Sequence, residues 1–270
     1  MQFTISLVQM DVATADPQRN LDKAAVLAAR AREQGADMIM LPELWTTGFQ
    51  WRANARLAQD HDPLAARTGE LAKRLGVWLG GSMLAPTDDG RPANAFMLFD
   101  PQGRIAAEYH KVHLFGRMGE DRHVTPGRRP ALADTPWGPM GMAVCYDLRF
   151  PELFGPYAAA GARVVLVPAA WPKARRDHWD LLLRARAVEN QCYVAGINQT
   201  GVEPVEGGDG EYVYGGGSAV YGPWGETLVM ADESGGEQVL TVKLDLDRVD
   251  KVRESFPVLT DRRPDAYAIG

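Results

Sequence analysis

The chain has 270 residues, 46% of them hydrophobic, and a formal net charge of −6 at pH 7. This apolar content is enough for one large core, whereas the negative charge disfavours a protein that binds nucleic acid or an anionic membrane surface. The two cysteines, Cys145 and Cys192, are too few for a disulfide framework and lack zinc-ligand spacing, so a cytoplasmic protein is expected. Residues 1–9 predict a first strand rather than a signal peptide, and no apolar run reaches membrane-spanning length.

Strands and helices alternate along the first half of the chain. Apolar runs indicate the strands, and amphipathic segments that end at Gly35 and Gly76 indicate the helices. The predicted elements, in chain order, are a strand at 3–9, a helix at 20–33, a strand at 36–43, a helix at 64–75, a strand at 77–81, and a hairpin of 95–99 and 105–109 around the turn 100–103.

The second half repeats the order of the first. Three of its segments match earlier ones in the same order: 161–168 with 35–42, 192–196 with 77–81, and 222–226 with 100–104. Such a repeat predicts two similar α/β halves. Two sheets packed on each other, with helices on their outer faces, satisfy this pattern. No stretch between the halves has the composition of a linker, so we predict one compact domain.

The C-terminal part is predicted to separate into a last helix and a tail. Residues 245–256 indicate a short helix, and the polar segment after it contains Pro264. We therefore expect a domain of residues 1–256 and a tail of residues 257–270. A tail of this kind either frays or docks on a neighbouring subunit.

One cysteine stands where a strand turns into a helix. The apolar run 140–144 indicates a buried strand, Cys145 comes directly after it, and Pro151 suits the first turn of a helix. Such a turn exposes the sulfur while the sheet holds it in place, which is a common arrangement for a nucleophile. Free cysteines are also often inert core residues, and we expect that of Cys192, which precedes an apolar strand.

Three charged residues accompany the cysteine. Glu43 ends a predicted strand, Lys111 comes after the second strand of the hairpin, and Glu120 lies in a glycine-containing loop. Ligands gather at the carboxyl ends of strands in open α/β sheets, which favours a functional Glu43. Taken singly, these residues have simpler explanations. Glu43 would be a carboxylate at a helix N-terminus or in a loop, and Lys111 a solvated charge at the edge of a sheet. Glu120 alone gives no indication of function. Only their combination with Cys145 points to chemistry.

Four motifs succeed one another along the chain: Pro-Glu at 42–43, His-Lys-Val-His-Leu-Phe at 110–115, Cys-Tyr-Asp-Leu-Arg-Phe-Pro-Glu at 145–152 and Arg-Ala-Arg-Ala-Val-Glu-Asn-Gln at 184–191. Together they resemble the nitrilase superfamily of carbon–nitrogen hydrolases. The resemblance extends from residue 3 to about residue 256. It implies an α/β fold with four layers, an α-β-β-α sandwich, which agrees with the two halves predicted from the repeat.

The resemblance also implies a role for each residue of the set. Cys145 is the nucleophile, Glu43 the general base, Lys111 the electrophilic stabiliser and Glu120 a second carboxylate, while the backbone N–H of Tyr146 is a second donor to the oxyanion. A thioester on the cysteine would form with release of ammonia and would then be hydrolysed. This chemistry requires no metal and no organic cofactor.

The nucleophile motif resembles one branch of the superfamily in particular. Cys-Tyr-Asp-Leu-Arg-Phe at 145–150 is similar to the omega-amidases, which hydrolyse the terminal amide of 2-oxoglutaramate and similar short monoamides of dicarboxylic acids. Segments 41–49, 170–172 and 178–179 are also similar to bacterial members of that branch. The alternative within the superfamily is a hydrolase of N-carbamoyl amino acids or aliphatic amides. The alternative of another class is a non-catalytic or redox-sensing thiol protein.

A substrate with a free carboxylate requires a cation that lies away from the sulfur by the length of a short carbon chain. Arginine is favoured because its planar fork binds carboxylates in a bidentate manner. The candidate substrate-binding residues are Arg117, Trp171, Lys173, Arg175, Arg176 and His178. The basic cluster at 173–176 is equally well explained as a solvated helix start.

Two further expectations concern structure rather than chemistry. Arg149 could bind substrate, but a structural ion pair with Glu152 or Asp147 is the simpler expectation. The resemblance also implies a homodimer, in which the helix of residues 151–160 and the C-terminal tail could supply the interface.

Overall fold

Two six-stranded mixed sheets form the centre of the protein in a computed structural model that describes residues 1–232 and 236–266. With strands numbered in chain order, the first sheet contains β1 (Gln2–Gln9), β2 (Met38–Met40), β3 (Trp78–Ala85), β4 (Ala93–Phe99), β5 (Ile105–His110) and β14 (Gln238–Asp245). The second contains β6 (Leu132–Thr135), β7 (Gly138–Met142), β8 (Val164–Ala169), β9 (Tyr193–Asn198), β12 (Ala219–Tyr221) and β13 (Thr227–Met230). A separate hairpin consists of β10 (Thr200–Pro204) and β11 (Glu211–Gly215).

Helices cover the outer face of each sheet. In chain order they are α1 (Pro17–Glu33), α2 (Trp51–Leu57), α3 (His61–Leu75), α4 (Glu120–His123), α5 (Pro151–Ala159), α6 (Arg176–Asn190) and α7 (Asp247–Ser255). Helices α1 and α3 pack on the first sheet, and α5 and α6 pack on the second.

The two sheets are built alike, which confirms the prediction of two similar halves. The order is β14-β1-β2-β3-β4-β5 in the first and β6-β7-β8-β9-β12-β13 in the second. In each sheet the second, third and fourth strands are parallel, and the remaining pairings are antiparallel. The matched segments of the sequence therefore occupy matched places, since β8 corresponds to β2 and β9 to β3.

Successive side chains along a strand point to opposite faces of the sheet, and so they contribute to two separate apolar layers. Leu7 of β1 belongs to the buried cluster that includes Leu166 of the second sheet. Its neighbour Val8 belongs to the cluster that includes Leu27 of α1. A period of two thus sets one face of the sheet against the other sheet and the opposite face against helices. The four-layer α-β-β-α prediction is confirmed.

Some boundaries differ from those predicted. Helix α1 begins at Pro17 because Asp16 caps it by accepting a hydrogen bond from the N–H of Arg19 at 3.1 Å. The strand predicted at 36–43 is shortened to β2, since Pro42 has no N–H and Leu44 adopts a left-handed φ of 41°. Helix α2 and the hairpin β10–β11 have no counterpart among the predicted elements.

The C-terminal part returns to the first sheet. Strand β14 pairs antiparallel with β1 along its whole length, and α7 comes after it. The last four residues of the predicted tail lie outside the described residues. Among the helices that the structure describes, none is both long and apolar enough to cross a membrane.

Candidate active site

Cys145 lies at the strand-to-helix turn that the sequence predicts. Strand β7 ends at Met142, and a short 3-10 turn, Cys145–Arg149, precedes α5. Cys145 has a φ of 46°, a left-handed conformation that few residues other than glycine adopt. Such backbone strain persists only where the surroundings impose it, and it is concentrated at functional sites.

The buried carboxylate of Asp147 holds this turn in place. It accepts hydrogen bonds from the N–H of Val144 at 2.9 Å and the hydroxyl of Tyr109 at 2.8 Å. It also accepts one from the N–H of His113 at 3.0 Å, and the Nδ1 of the same histidine lies 2.8 Å from it. Asp147 therefore ties the backbone just before Cys145 to strand β5 and to the segment after that strand.

A buried ion cluster lies beside the thiol. The Nζ of Lys111 donates to Oε1 of Glu43 and to Oε2 of Glu120, both at 2.7 Å. None of these three residues is more than 1% exposed. The side chain of Cys145 is hydrogen-bonded to Glu43. The structure thus brings together the four residues that the sequence analysis selected from distant parts of the chain.

Three further donors orient the two carboxylates. Asn94 Nδ2 lies 2.9 Å from Oε1 of Glu43 and 2.8 Å from Oε1 of Glu120, so it bridges them. The N–H of Ala170 donates to Oε2 of Glu43 at 2.9 Å, and the N–H of Phe115 donates to Oε2 of Glu120 at 2.7 Å. Sequence reasoning misses Asn94, whose only signal is a polar residue near the start of the apolar strand β4.

Burial and charge shift the ionisation of the cluster. Burial lowers the pKa of Lys111, but the charges of Glu120 and Glu43 outweigh that effect and raise it, so the amine stays an ammonium. Burial, together with the charge of Glu43 and against that of Lys111, raises the pKa of Glu120. Burial and the charge of Glu43 also raise the pKa of Cys145 well above its ordinary value. The thiol is therefore protonated at neutral pH and needs a base at the moment of attack.

A cavity opens onto the thiol and Lys111. Its wall is mostly apolar and aromatic and contains two arginines. Besides Glu43, Lys111 and Cys145, it is lined by Phe49, Phe115, Met118, Tyr146, Arg149, Ala170, Trp171, Pro172 and Arg175. A larger cavity adjoins it and shares Phe115, Met118, Pro172 and Arg175.

The structure places some of the predicted substrate-binding residues in the cavity and others outside it. Trp171 and Arg175 line it, whereas Arg117 lines only the adjoining cavity. Arg176 does not line either, because its guanidinium is held 3.1 Å from the carboxylate of Asp180. His178 is exposed and reaches the site only through Arg149.

Arg149 is a cavity residue for which the sequence favours a structural ion pair over substrate binding. The expected pair with Glu152 or Asp147 is not formed. Instead the guanidinium lies over the ring of Trp171, with Cζ 4.8 Å from the ring centroid, and its Nη2 lies 3.2 Å from Nδ1 of His178. Asp147 is already engaged by other donors, which leaves Arg149 directed towards the cavity.

Cys192 lies in the core, as predicted. It is 1% exposed within the cluster of β8, β9 and α6, and burial raises the pKa of its thiol to about 12.

The described residues contain no group of three or more His, Cys, Asp or Glu side chains that could hold a metal ion.

A buried cysteine hydrogen-bonded to a glutamate, with a lysine bridging two glutamates, defines a hydrolase with a cysteine nucleophile on a four-layer sandwich. A family model described as carbon–nitrogen hydrolase matches residues 4–254. The chain is 36% identical over 269 residues to a 2-oxoglutaramate amidase of Bacillus subtilis (strain 168), covering 99% of this chain and 100% of that one. It is 31% identical over 277 residues to an omega-amidase of Xenopus tropicalis, covering 99% and 98%. The chain belongs to the carbon–nitrogen hydrolase family and is an amide-hydrolysing enzyme.

Solved structures show the same architecture. A carbon–nitrogen hydrolase of Helicobacter pylori matches with a TM-score of 0.92 at 25% identity, over 99% of this chain and 97% of that one. A mutant amidase of Nesterenkonia sp. AN1 matches with a TM-score of 0.85 at 33% identity, over 97% of both chains. That structure is described as the product of Michael addition of acrylamide at the active-site cysteine.

The two cysteines should respond differently to replacement. Cys145→Ala should abolish amide hydrolysis, because it removes the proposed attacking atom, and should leave the fold intact, because only one sulfur atom is lost at the cavity wall. Cys192→Ala should keep turnover. Ammonia release and circular dichroism measure the two effects. Near-normal ammonia release by Cys145→Ala would contradict the assignment of the nucleophile.

Replacement of Lys111 by arginine should be almost as damaging as replacement by alanine. A planar guanidinium is larger than an ammonium and cannot occupy the same point between two carboxylates. With Lys111 as a proposed donor to the oxyanion, its loss should lower kcat by about 10²–10³-fold. Steady-state kinetics of Lys111→Arg and Lys111→Ala test this, and an active arginine variant would show that the point charge is not needed.

Proposed function

We propose that the enzyme hydrolyses the terminal amide of a short dicarboxylic acid monoamide, such as 2-oxoglutaramate or succinamate, and releases ammonia. The observation that carries this proposal is the pair Arg149 and Arg175. Both line the cavity that contains the thiol, and neither forms an ion pair with an acidic side chain in the part of the chain that the structure describes. An anionic substrate would supply the missing partner.

The rest of the cavity suits a small, extended substrate. The guanidinium of Arg149 lies over Trp171, and that of Arg175 lies over Phe115 with Cζ 5.6 Å from the ring centroid. Aromatic rings hold an arginine in place without neutralising it, so its donors stay available for a carboxylate. An amide at the thiol and an acid at the arginines would together span the cavity. The substrate in the name of the Bacillus subtilis relative, 2-oxoglutaramate, carries both groups.

Acylation is explained by the contacts around Cys145. Glu43 takes the thiol proton as sulfur attacks the amide carbon, so no free thiolate accumulates. Lys111 uses two of its three N–H donors on Glu43 and Glu120, which leaves one for the developing oxyanion. The backbone N–H of Tyr146 serves as the second donor. When the intermediate collapses, the proton on Glu43 passes to the leaving nitrogen and ammonia departs.

Deacylation uses the same base. Glu43 removes a proton from water as the water attacks the thioester carbonyl, and the same donors stabilise the second oxyanion. Collapse breaks the carbon–sulfur bond, releases the dicarboxylic acid and returns the proton from Glu43 to sulfur. Glu120 touches neither reactant in this scheme. It fixes Lys111 through the 2.7 Å contact and is itself fixed by Asn94 and the N–H of Phe115.

The compartment and the assembly are part of the proposal. A thiol nucleophile and a second unpaired cysteine are compatible with a reducing compartment, and we place the enzyme in the cytoplasm. A homodimer is supported by apolar side chains exposed on and beside α6. Val188 of α6, Trp224 and Phe256 are 45%, 53% and 54% exposed, and the last two rings lie 6.0 Å apart.

The substrate can be tested with two amides of similar length. Succinamate should have a kcat/KM about 10²-fold or more above that of butyramide, because arginines left without a partner in the filled cavity are costly. Coupled ammonia assays give both values. Equal values would remove the dicarboxylate assignment, and so would a preference for an N-carbamoyl amino acid.

Arginine variants locate the carboxylate. Arg149→Leu and Arg175→Leu should each lower kcat/KM for succinamate by about 10–10²-fold, the usual range for a charge-assisted hydrogen bond, and should leave butyramide nearly unchanged. Arg117→Leu is the matched comparison, since Arg117 is exposed and lies outside the catalytic cavity. A selective loss in Arg117→Leu alone would move the carboxylate to the adjoining cavity.

The assembly is tested by light scattering. The protein should be a dimer at micromolar concentration, and a charge placed in the exposed apolar surface by Phe256→Asp should shift it towards the monomer. A wild-type protein that is monomeric under these conditions would contradict the homodimer.

A further inference from the structure

A buried carboxyl outside the ion cluster holds one wall of the cavity. Glu203 of β10 is 2% exposed and accepts hydrogen bonds from the backbone N–H of Phe49 at 2.6 Å and from the hydroxyl of Tyr214 at 3.1 Å. The side chain of Thr14 also hydrogen-bonds to it. Within residues 1–232 and 236–266 it forms no ion pair. Burying a carboxyl without a cation costs free energy, so its contacts require an explanation.

The segment around Phe49 depends on side chains for its position. It belongs to no strand, and Gly48 has a φ of 66°. A Cβ at Gly48 would lie 2.8 Å from Oε1 of Glu203, so the carboxyl packs directly against this backbone. On the other side, Nδ2 of Asn54 donates to the carbonyl of Gly48 at 2.8 Å. Glu203 and Asn54 therefore hold the segment between them.

Phe49 connects this contact to the reaction. Its side chain lines the catalytic cavity together with Cys145. It also belongs to a buried cluster with Tyr214 and Ala170, and the N–H of Ala170 is the one that donates to Glu43. A displacement of Phe49 would change the wall against which the substrate packs, while Lys111 and the thiol would keep their own contacts.

We propose that Glu203 is a positioning residue for amide hydrolysis, which fixes Phe49 and Tyr214 from behind and thereby sets the KM of the enzyme. The inference rests on amide hydrolysis at Cys145 and not on which amide is the natural substrate. It assigns Glu203 no contact with the reacting atoms.

The charge of Glu203 gives this role a pH dependence. Burial raises the pKa of Glu203 to about 7, against the hydrogen bonds from Phe49 and Tyr214 that lower it, and the charge of Glu206 adds to the rise. Segment 44–51 and residues 12–15 contribute no titratable side chain. Tyr214 and Glu206, both from the hairpin, are therefore the titratable groups that face it.

Proton linkage sets the direction of this dependence. The ordered segment holds a proton on Glu203 up to a pH of about 7, whereas an exposed glutamate would lose it near pH 4.5. Proton uptake therefore favours the ordered segment, and that advantage is lost as the pH rises from about 5 to 7. KM should rise over this interval and level off above it.

Two variants and one control separate the outcomes. Glu203→Gln imitates the protonated acid, because its oxygen can accept from Phe49 and its nitrogen can donate to Tyr214. It should keep the low KM of acidic pH throughout and lose the rise. Glu203→Ala should raise KM about fivefold at acidic pH, the factor for one ordinary hydrogen bond, and should also lose the rise with pH, with kcat nearly unchanged. Glu206→Gln removes a charge that adds to the rise in the pKa of Glu203, so it should keep the rise in KM and displace it towards lower pH.

KM and kcat are measured against pH for the wild-type enzyme and for each variant. Dividing each variant value by the wild-type value at the same pH cancels the titration of the catalytic groups that both enzymes share. The half-saturating concentration of iodoacetamide for alkylation of Cys145 gives a second readout, which remains informative if the dicarboxylate assignment is wrong. A Glu203→Gln profile that keeps the wild-type rise in both readouts would overturn the inference. A Glu203→Ala variant that loses kcat at unchanged KM would overturn it as well.

Discussion

The site depends on one buried ammonium that is shared by two carboxylates. Lys111 lies 2.7 Å from both Glu43 and Glu120, and all three are excluded from water. Charges without water are stable only when their partners are fixed, and removal of one partner from such a cluster is strongly destabilising. The ends of β2 and β5 and the segment at 115–120 must therefore keep their relative positions. The hydrogen bonds from Asn94 of β4 to both carboxylates help to keep these positions fixed.

The same burial controls the nucleophile. The pKa of Cys145 is raised by burial and by Glu43, so the resting enzyme carries a thiol rather than a thiolate. In the proposed mechanism its reactivity depends on Glu43 accepting a proton as substrate binds, and a protonated thiol is less open to indiscriminate alkylation and oxidation. The backbone must aim the sulfur at the base, and this explains the strained φ at Cys145 and the contacts of Asp147 with Val144.

Local patterns in the sequence predict much of the fold, whereas features that depend on distant contacts escape them. The repeated strand order and the turn at Cys145 arise from apolar periodicity, and both are confirmed. Helix α2 escapes prediction because its first N–H groups are capped by Glu206, far along the chain. The ion pair expected for Arg149 is wrong because nearness in sequence is its only support. The structure commits Asp147 to other donors, and this contact pattern leaves no local signal.

The central claim is that amide hydrolysis proceeds through an acyl group on Cys145. It is tested most directly by mixing excess wild-type enzyme with succinamate, stopping the reaction in acid at successive times, and mapping the modified peptide by mass spectrometry. The account predicts a succinyl group on Cys145 that forms with the release of ammonia and then decays as succinate forms. Complete turnover with no acyl group on Cys145 at any time, or with the acyl group on another residue, would contradict it.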